Sequence, residues 1–146
     1  MKVHTKKAEL QTNKQFEPID ISDTVKETLA ESGVKNGMAL IFSNHTTAAI
    51  RINHNEPLLL QDFMKMLHRL VPVNVGYAHD VFEIRENVSV NERSNGHAHI
   101  KAFLLGSSET IPVHAGKLML GEKQSIFFVE MDGSRKRDYI IQIMGD

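Results

Sequence analysis

Residues 97–144 read HAHIKAFLLGSSETIPVHAGKLMLGEKQSIFFVEMDGSRKRDYIIQIM. Strand-like runs fill this stretch: His97 to Leu105, Thr110 to His114, Lys117 to Leu120, Ser125 to Met131 and Asp138 to Met144. The segments between them, Gly106-Ser107-Ser108, Ala115-Gly116, Gly121-Glu122 and Asp132-Gly133, are turn formers. Successive short runs of this kind predict antiparallel sheet. Upstream, Val3 to Gln11 reads as an edge strand, and Met38 to Ser43 and Ala48 to Asn53 read as two strands joined through Asn44-His45-Thr46-Thr47. Asp20 or Ser22 caps a helix with Ile21, Val25 and Leu29 at i, i+4 and i+8, stopped by Gly33. Asn55-Glu56-Pro57 opens a second helix, whose stripe of Leu59, Phe63, Met66, Leu67 and Leu70 ends before Val71-Pro72. From Val73 to Asn95 the pattern weakens, which predicts mostly loop with one short strand near Val81 to Arg85. A loop of this length is commonly functional. The predicted class is α+β: two helices packed on mainly antiparallel β-sheet, in one domain over residues 1–146.

Composition narrows the function. The chain carries 17 Lys+Arg against 18 Asp+Glu, a balance that argues against a general polyanion binder, so no nucleic-acid partner is expected. Absence of cysteine removes disulfides, thiolate metal sites and cysteine nucleophiles. Any transition metal must then be held by imidazole and carboxylate. No apolar run approaches the roughly 18 residues that span a bilayer, and the basic start never reaches the apolar core of a signal peptide. The expectation is a cytoplasmic protein with no membrane partner. Walker, GxGxxG, HExxH and GxSxG motifs are all missing from the sequence.

Eight histidines are the unusual feature. In Asn95-Gly96-His97-Ala98-His99, read as strand, His97 and His99 point to one face and can reach one cation or phosphate. At this histidine content about 0.4 His-x-His pairs arise by chance, so the pair gains weight only beside other segments. Those segments are His45-Thr46-Thr47, at a strand-to-strand turn, and Tyr77-Ala78-His79-Asp80, in the long loop. Asp80 can fix the tautomer of His79, or it can bind backbone amides in a turn; the sequence leaves both open. Glu130 and Asp132 share a face if their strand continues, and Arg135 offers a fork suited to phosphate or carboxylate. Lys136 and Arg137 read as solvated charges of a hairpin tip, His68 as a surface or boundary residue, and Asp62 as a solvated position in the second helix.

The segments His45-Thr46-Thr47-Ala48-Ala49-Ile50, Asn55-Glu56, Tyr77-x-His79-Asp80, Asn95-Gly96-His97-Ala98-His99-Ile100, Leu105-Gly106-x-Ser108, Ile111-Pro112-Val113 and Asp132-Gly133-x-Arg135-x-Arg137 together resemble the YjbQ family. The resemblance implies a small α+β domain that assembles as a homotrimer, with a histidine-rich pocket near subunit boundaries. It also implies a thiamine-phosphate synthase activity, coupling hydroxymethylpyrimidine diphosphate to thiazole phosphate with release of diphosphate, as a main or side reaction. By this likeness the catalytic candidates are His45, His79, Asp80, His97 and His99. The substrate-binding candidates are Thr46, Thr47, Asn95, Glu130, Asp132 and Arg135, and Asp62 is carried over with them. One departure is Gly121-Glu122-Lys123-Gln124, where the family often has Gly-Thr-Trp-Gln. Magnesium would be held by Asp80, Glu130 or Asp132. Zinc or another transition metal would suit His45, His97 and His99. Two further functions therefore stay open: a metal-dependent hydrolase or lyase on a phosphorylated small molecule, and a non-catalytic trimeric protein that binds phosphate or a metabolite.

Overall fold

Strand periodicity is realised as two antiparallel sheets in the computed structural model, which describes residues 1–89 and 91–146. The elements are β1 (Lys2–Gln11), β2 (Glu17–Asp20), α1 (Ser22–Ser32), β3 (Gly37–Phe42), β4 (Ala48–Asn53) and α2 (Pro57–Leu70). A short 3-10 turn (Ala78–Asp80) follows, then α3 (Gly96–Leu105), β5 (Ser108–His114), β6 (Lys117–Leu118), β7 (Ser125–Glu130) and β8 (Lys136–Gly145). One sheet has the order β1-β8-β3-β5-β6 and the other β2-β7-β4. β1 is an edge strand, as its sequence predicts. β3 and β4 lie in different sheets, so the His45–Thr47 connector crosses from one sheet to the other.

Side-chain alternation explains the layering. On β7, Ile126 and Phe128 enter the core between the sheets with Ala39, Ile41, Ile50, Ile141 and Ile143. Phe127 and Val129 enter a second core with Ala49, Leu67, Ala98 and Met131, on the helical side. β7 is thus buried on both faces, which is why its sequence is almost continuously apolar. Each fully buried Ile or Phe side chain contributes about 1.5–3 kcal/mol. The α1 and α2 termini follow their local signals. Asp20 Oδ1 accepts the Ser22 N–H at 2.9 Å, Gly33 closes α1 with φ +70°, and Pro57 starts α2 behind the Glu56 cap.

The structure departs from the sequence reading at several points, among them β2 (Glu17–Asp20), a strand the sequence reading does not predict. His97 to Leu105 is helix, so three α-helices pack on the sheets rather than two. The segment Val81 to Arg85 makes turns and no strand. The inward face of α3 explains the misreading: it carries His97 (1% exposed) and Lys101 (0%), while Phe103 (89%) and Leu104 (57%) face out. Hydropathy along α3 is inverted relative to burial, which hides the 3.6-residue period. Arg137 also departs: it is buried on β8 with Tyr139, Ile141 and Ile143 rather than solvated at a hairpin tip. Among the described residues no helix is long and apolar enough to cross a membrane.

Candidate functional site

Where the two sheets meet, an ion pair ties them together. Glu130 ends β7 in one sheet and Arg137 begins the buried face of β8 in the other, and Glu130 is fully buried. Arg137 Nε donates to Glu130 Oε1 at 2.8 Å and Nη2 to Oε2 at 2.5 Å. Thr12 Oγ1 donates to Oε1, and the Met131 and Asp132 amides donate to Oε2. Burial alone would raise the Glu130 carboxyl, but the hydrogen bonds from Arg137 and Thr12 outweigh it and hold it below the ordinary range. Arg137 Nη2 also donates to Thr47 Oγ1 at 2.8 Å, which anchors the start of β4. Glu130 and Thr47 are therefore occupied by protein partners.

A second chain of contacts fixes His79. Asp132 Oδ2 accepts from Arg135 Nη2 and, at 2.8 Å, from Asn95 Nδ2. The Asn95 Nδ2 must point at this carboxylate, so its Oδ1 faces His79 Nε2 at 3.0 Å. That oxygen only accepts, so Nε2 carries the proton and Nδ1 of the neutral ring has a free lone pair. Arg93 adds a hydrogen bond to the Asp132 carbonyl at 2.9 Å. The loop around His79 is braced as well. Arg85 Nη1 donates to the His79 carbonyl and to Glu92 Oε1, and Arg85 and Ser89 hold the Glu92 carboxyl down to about 2. Asp80 does not touch the His79 ring through any hydrogen bond in the structure; its Oδ1 accepts the Gly96 N–H at 3.0 Å, at the start of α3. Of its two open readings, the amide-binding one is realised, toward a helix 16 residues on. Gly96 is needed at this approach, because a Cβ there would lie 2.9 Å from Tyr77 Cβ.

On α3, His97 and His99 are two residues apart and diverge, since i and i+2 do not share a helix face. His97 turns inward, and its Nδ1 lies 2.7 Å from Lys101 Nζ. His99 turns toward His79, with ring centroids 4.7 Å apart at 64°. Burial first, and the neighbouring His79 second, push the His99 imidazole below its ordinary range. The shift favours its neutral form. His99, His45, Thr46, Phe103 and Ser107 line a cleft of about 340 Å³. The structure thus brings His45, Thr46, His79 and His99 to one region, with Asn95, Asp132 and Arg135 behind His79. Asp62 lies apart from these residues, on the wall of a separate apolar cavity with Phe63 and Phe127. Lys123 is exposed in the turn before β7.

The trio of His45, His97 and His99 is corrected by this geometry: His97 is internal and paired with Lys101, so the three rings do not form one ligand set. Among the described residues no three His, Asp or Glu side chains are placed to hold a metal ion. The magnesium set fares no better, because Glu130 and Asp132 are filled by arginine, amide and hydroxyl donors.

Lys101 makes a testable consequence. Burial pushes its amine down to about 8, below its value in the unfolded chain. The folded state thus disfavours the charged form, and stability is gained as pH rises from the folded toward the unfolded value. Between pH 8 and pH 10.5 wild type is expected to gain up to about 3 kcal/mol relative to Lys101→Met. Urea unfolding of both proteins across that range checks it, and parallel stability curves would refute it.

Sequence reasoning missed four residues: Arg93, Lys101, Arg137 and Asp138. Only Arg137 had a visible signal, since it shares the parity of Tyr139, Ile141 and Ile143.

Comparison with known proteins agrees with this architecture. The family model described as "UPF0047 protein YjbQ-like" matches residues 6–146. A UPF0047 protein of Methanothermobacter thermautotrophicus is 41% identical over 99% of this chain and 94% of its own length. The UPF0047 protein YugU of Bacillus subtilis is 36% identical over 96% of this chain and 98% of its own. Among solved structures, a YbjQ-like protein of unknown function from Sulfolobus solfataricus superposes with a TM-score of 0.90 at 36% identity, covering 99% of each chain. An uncharacterized conserved protein of the yjbq/upf0047 family from Clostridium acetobutylicum gives 0.84 at 39% identity, over 95% of this chain and 99% of that one. The chain belongs to the UPF0047 (YjbQ-like) family.

Proposed function

We propose that this protein is an acid–base enzyme acting on a phosphorylated small molecule, and that its reaction is thiamine-phosphate synthesis. The observation that carries the acid–base part is His79, held with Nε2–H on Asn95 and Nδ1 free, packed against His99. The substrate class rests on the likeness to the YjbQ family. In this reading the thiazole nitrogen attacks the exocyclic methylene of the pyrimidine, the carbon–oxygen bond breaks, and its electron pair leaves with diphosphate. His79, once it has taken a proton from solvent on its open Nδ1, donates that proton or a hydrogen bond to the departing oxygen. Arg93 and Arg135 stand behind His79, half exposed, and supply positive potential toward the leaving anion. The homotrimer is part of the proposal: Phe103 lines the cleft, and with Leu104 it leaves an apolar surface uncovered in the single chain.

The test supplies hydroxymethylpyrimidine diphosphate as its magnesium complex together with thiazole phosphate. Thiamine phosphate and diphosphate are expected in equal amounts, with a rate roughly 100-fold lower or less in His99→Ala. Diphosphate or phosphate released without thiazole phosphate would replace this reading by a hydrolase. Tight binding without turnover would replace it by a binding protein. Sedimentation of the same preparation checks the trimer.

A further inference from the structure

We infer that Asp138 is a positioning residue of the cleft, which fixes the tautomer of His45 and forms with it a second proton-handling pair beside His79. The inference rests on the acid–base reading above. His45 lies in the crossover between the sheets and lines the cleft; Asp138 lies on β8, 93 residues away. His45 Nε2 is 3.0 Å from Asp138 Oδ1 and 3.3 Å from the Asp138 backbone nitrogen. One ring nitrogen cannot both donate to the first and accept from the second. The carboxylate can only accept, and it is nearer, so Nε2 carries the proton and points it at Oδ1. The lone pair of the neutral ring is then on Nδ1.

The pair is held from both sides. Lys7 Nζ, on β1, lies 3.3 Å from Asp138 Oδ2 and holds the other carboxylate oxygen. Burial would raise the Asp138 carboxyl, but Lys7 and His45 outweigh it and keep it ionised. At the other end of the residue, the His45 backbone N–H donates to Ser43 Oγ at 3.3 Å. His45 and His79 therefore share one design, with Nε2–H engaged by protein and Nδ1 left open. The His45 Nε2–H meets the Asp138 carboxylate at 3.0 Å, whereas the His79 Nε2–H meets the Asn95 amide oxygen at 3.0 Å with Glu92 Oε1 beyond it at 3.7 Å. When a proton arrives at Nδ1, the His45 imidazolium faces a full negative charge across 3.0 Å.

The tautomer can be read without any substrate. In histidine-15N-labelled protein, long-range ring correlations are expected to show His45 with its proton on Nε2. Asp138→Ala should lose that preference, whereas Asp138→Asn, which keeps an acceptor oxygen, should retain it. In the coupling assay Asp138→Ala is expected to lower kcat roughly 10-fold or more with KM unchanged, and the melting temperature should stay near that of wild type. Identical His45 ring spectra in wild type and Asp138→Ala would overturn the inference, as would an Asp138→Ala protein that loses structure together with activity. If wild type couples no substrates while the tautomer follows Asp138, the reaction is wrong and the pairing stands.

Discussion

Arg137→Met is expected to destabilise the fold by about 3–5 kcal/mol, the usual consequence of leaving one half of a buried ion pair alone. Glu130 would keep its contacts to Thr12 and to the Met131 and Asp132 amides. It would lose its one cation partner among the described residues while its side chain stays buried. For a domain of this size that is a drop of roughly 10–15 °C in melting temperature. Net stabilities of domains are about 5–15 kcal/mol, so the variant would be close to unfolding. Glu130→Gln in the same chain removes the stranded charge and still offers an oxygen to the two amides. The double variant is therefore expected to recover much of the loss, by about 2 kcal/mol. Thermal and denaturant unfolding of the two single variants and the double check this. A double variant no more stable than Arg137→Met would mean that the charge is not what makes the site costly. Because Arg137 also holds Thr47, the surviving folded protein should bind substrate more weakly.

His79→Ala should lower the coupling rate by 100-fold or more, within the roughly 10²–10⁴-fold range of acid–base groups. Little stability should be lost, since His79 is a partly exposed loop residue. Asn95→Ala is expected to fall nearly as far, because Asn95 holds His79, packed against His99, in one tautomer. The decisive measurement is the double variant. If Asn95 acts through His79, then His79→Ala/Asn95→Ala is no slower than His79→Ala alone, a full loss of additivity. Additive losses would mean that Asn95 touches substrate independently. Asn95 is also buried against Asp132, so melting curves must accompany the kinetics.

The candidate site is only partly legible in the chain, and α3 shows why. Helices α1 and α2 are readable because Val25 and Leu29, or Phe63 and Leu67, recur at helical spacing between recognisable caps. In α3 the buried positions are Gly96, His97, Ala98 and Lys101, two of them polar by type. Phe103 and Leu104 meanwhile point outward. A reading based on hydropathy therefore takes the wrong period, and with it the wrong geometry for His97 and His99. The two rings look like neighbours on a strand and are in fact on different sides of a helix. The segment around His79 is singled out as a candidate by its length and residues. Its true partner is Asn95, though, while the adjacent Asp80 goes to the α3 N-terminus.

By itself the sequence determines the α+β class, the positions of α1, α2 and nearly all long strands, and a short roll of histidines and acids from which the site is built. These follow from interactions within a few residues: alternation, caps, and turn-forming glycine and proline. Tertiary structure alone decides the pairings: Glu130 with Arg137, His45 with Asp138, His97 with Lys101, and His79 with Asn95 and Asp132. Most of those partners are brought together by the order of strands in two sheets and by the crossover between them. Sheet order and stacking are set by the simultaneous burial of distant faces, a property that no local window of the chain contains.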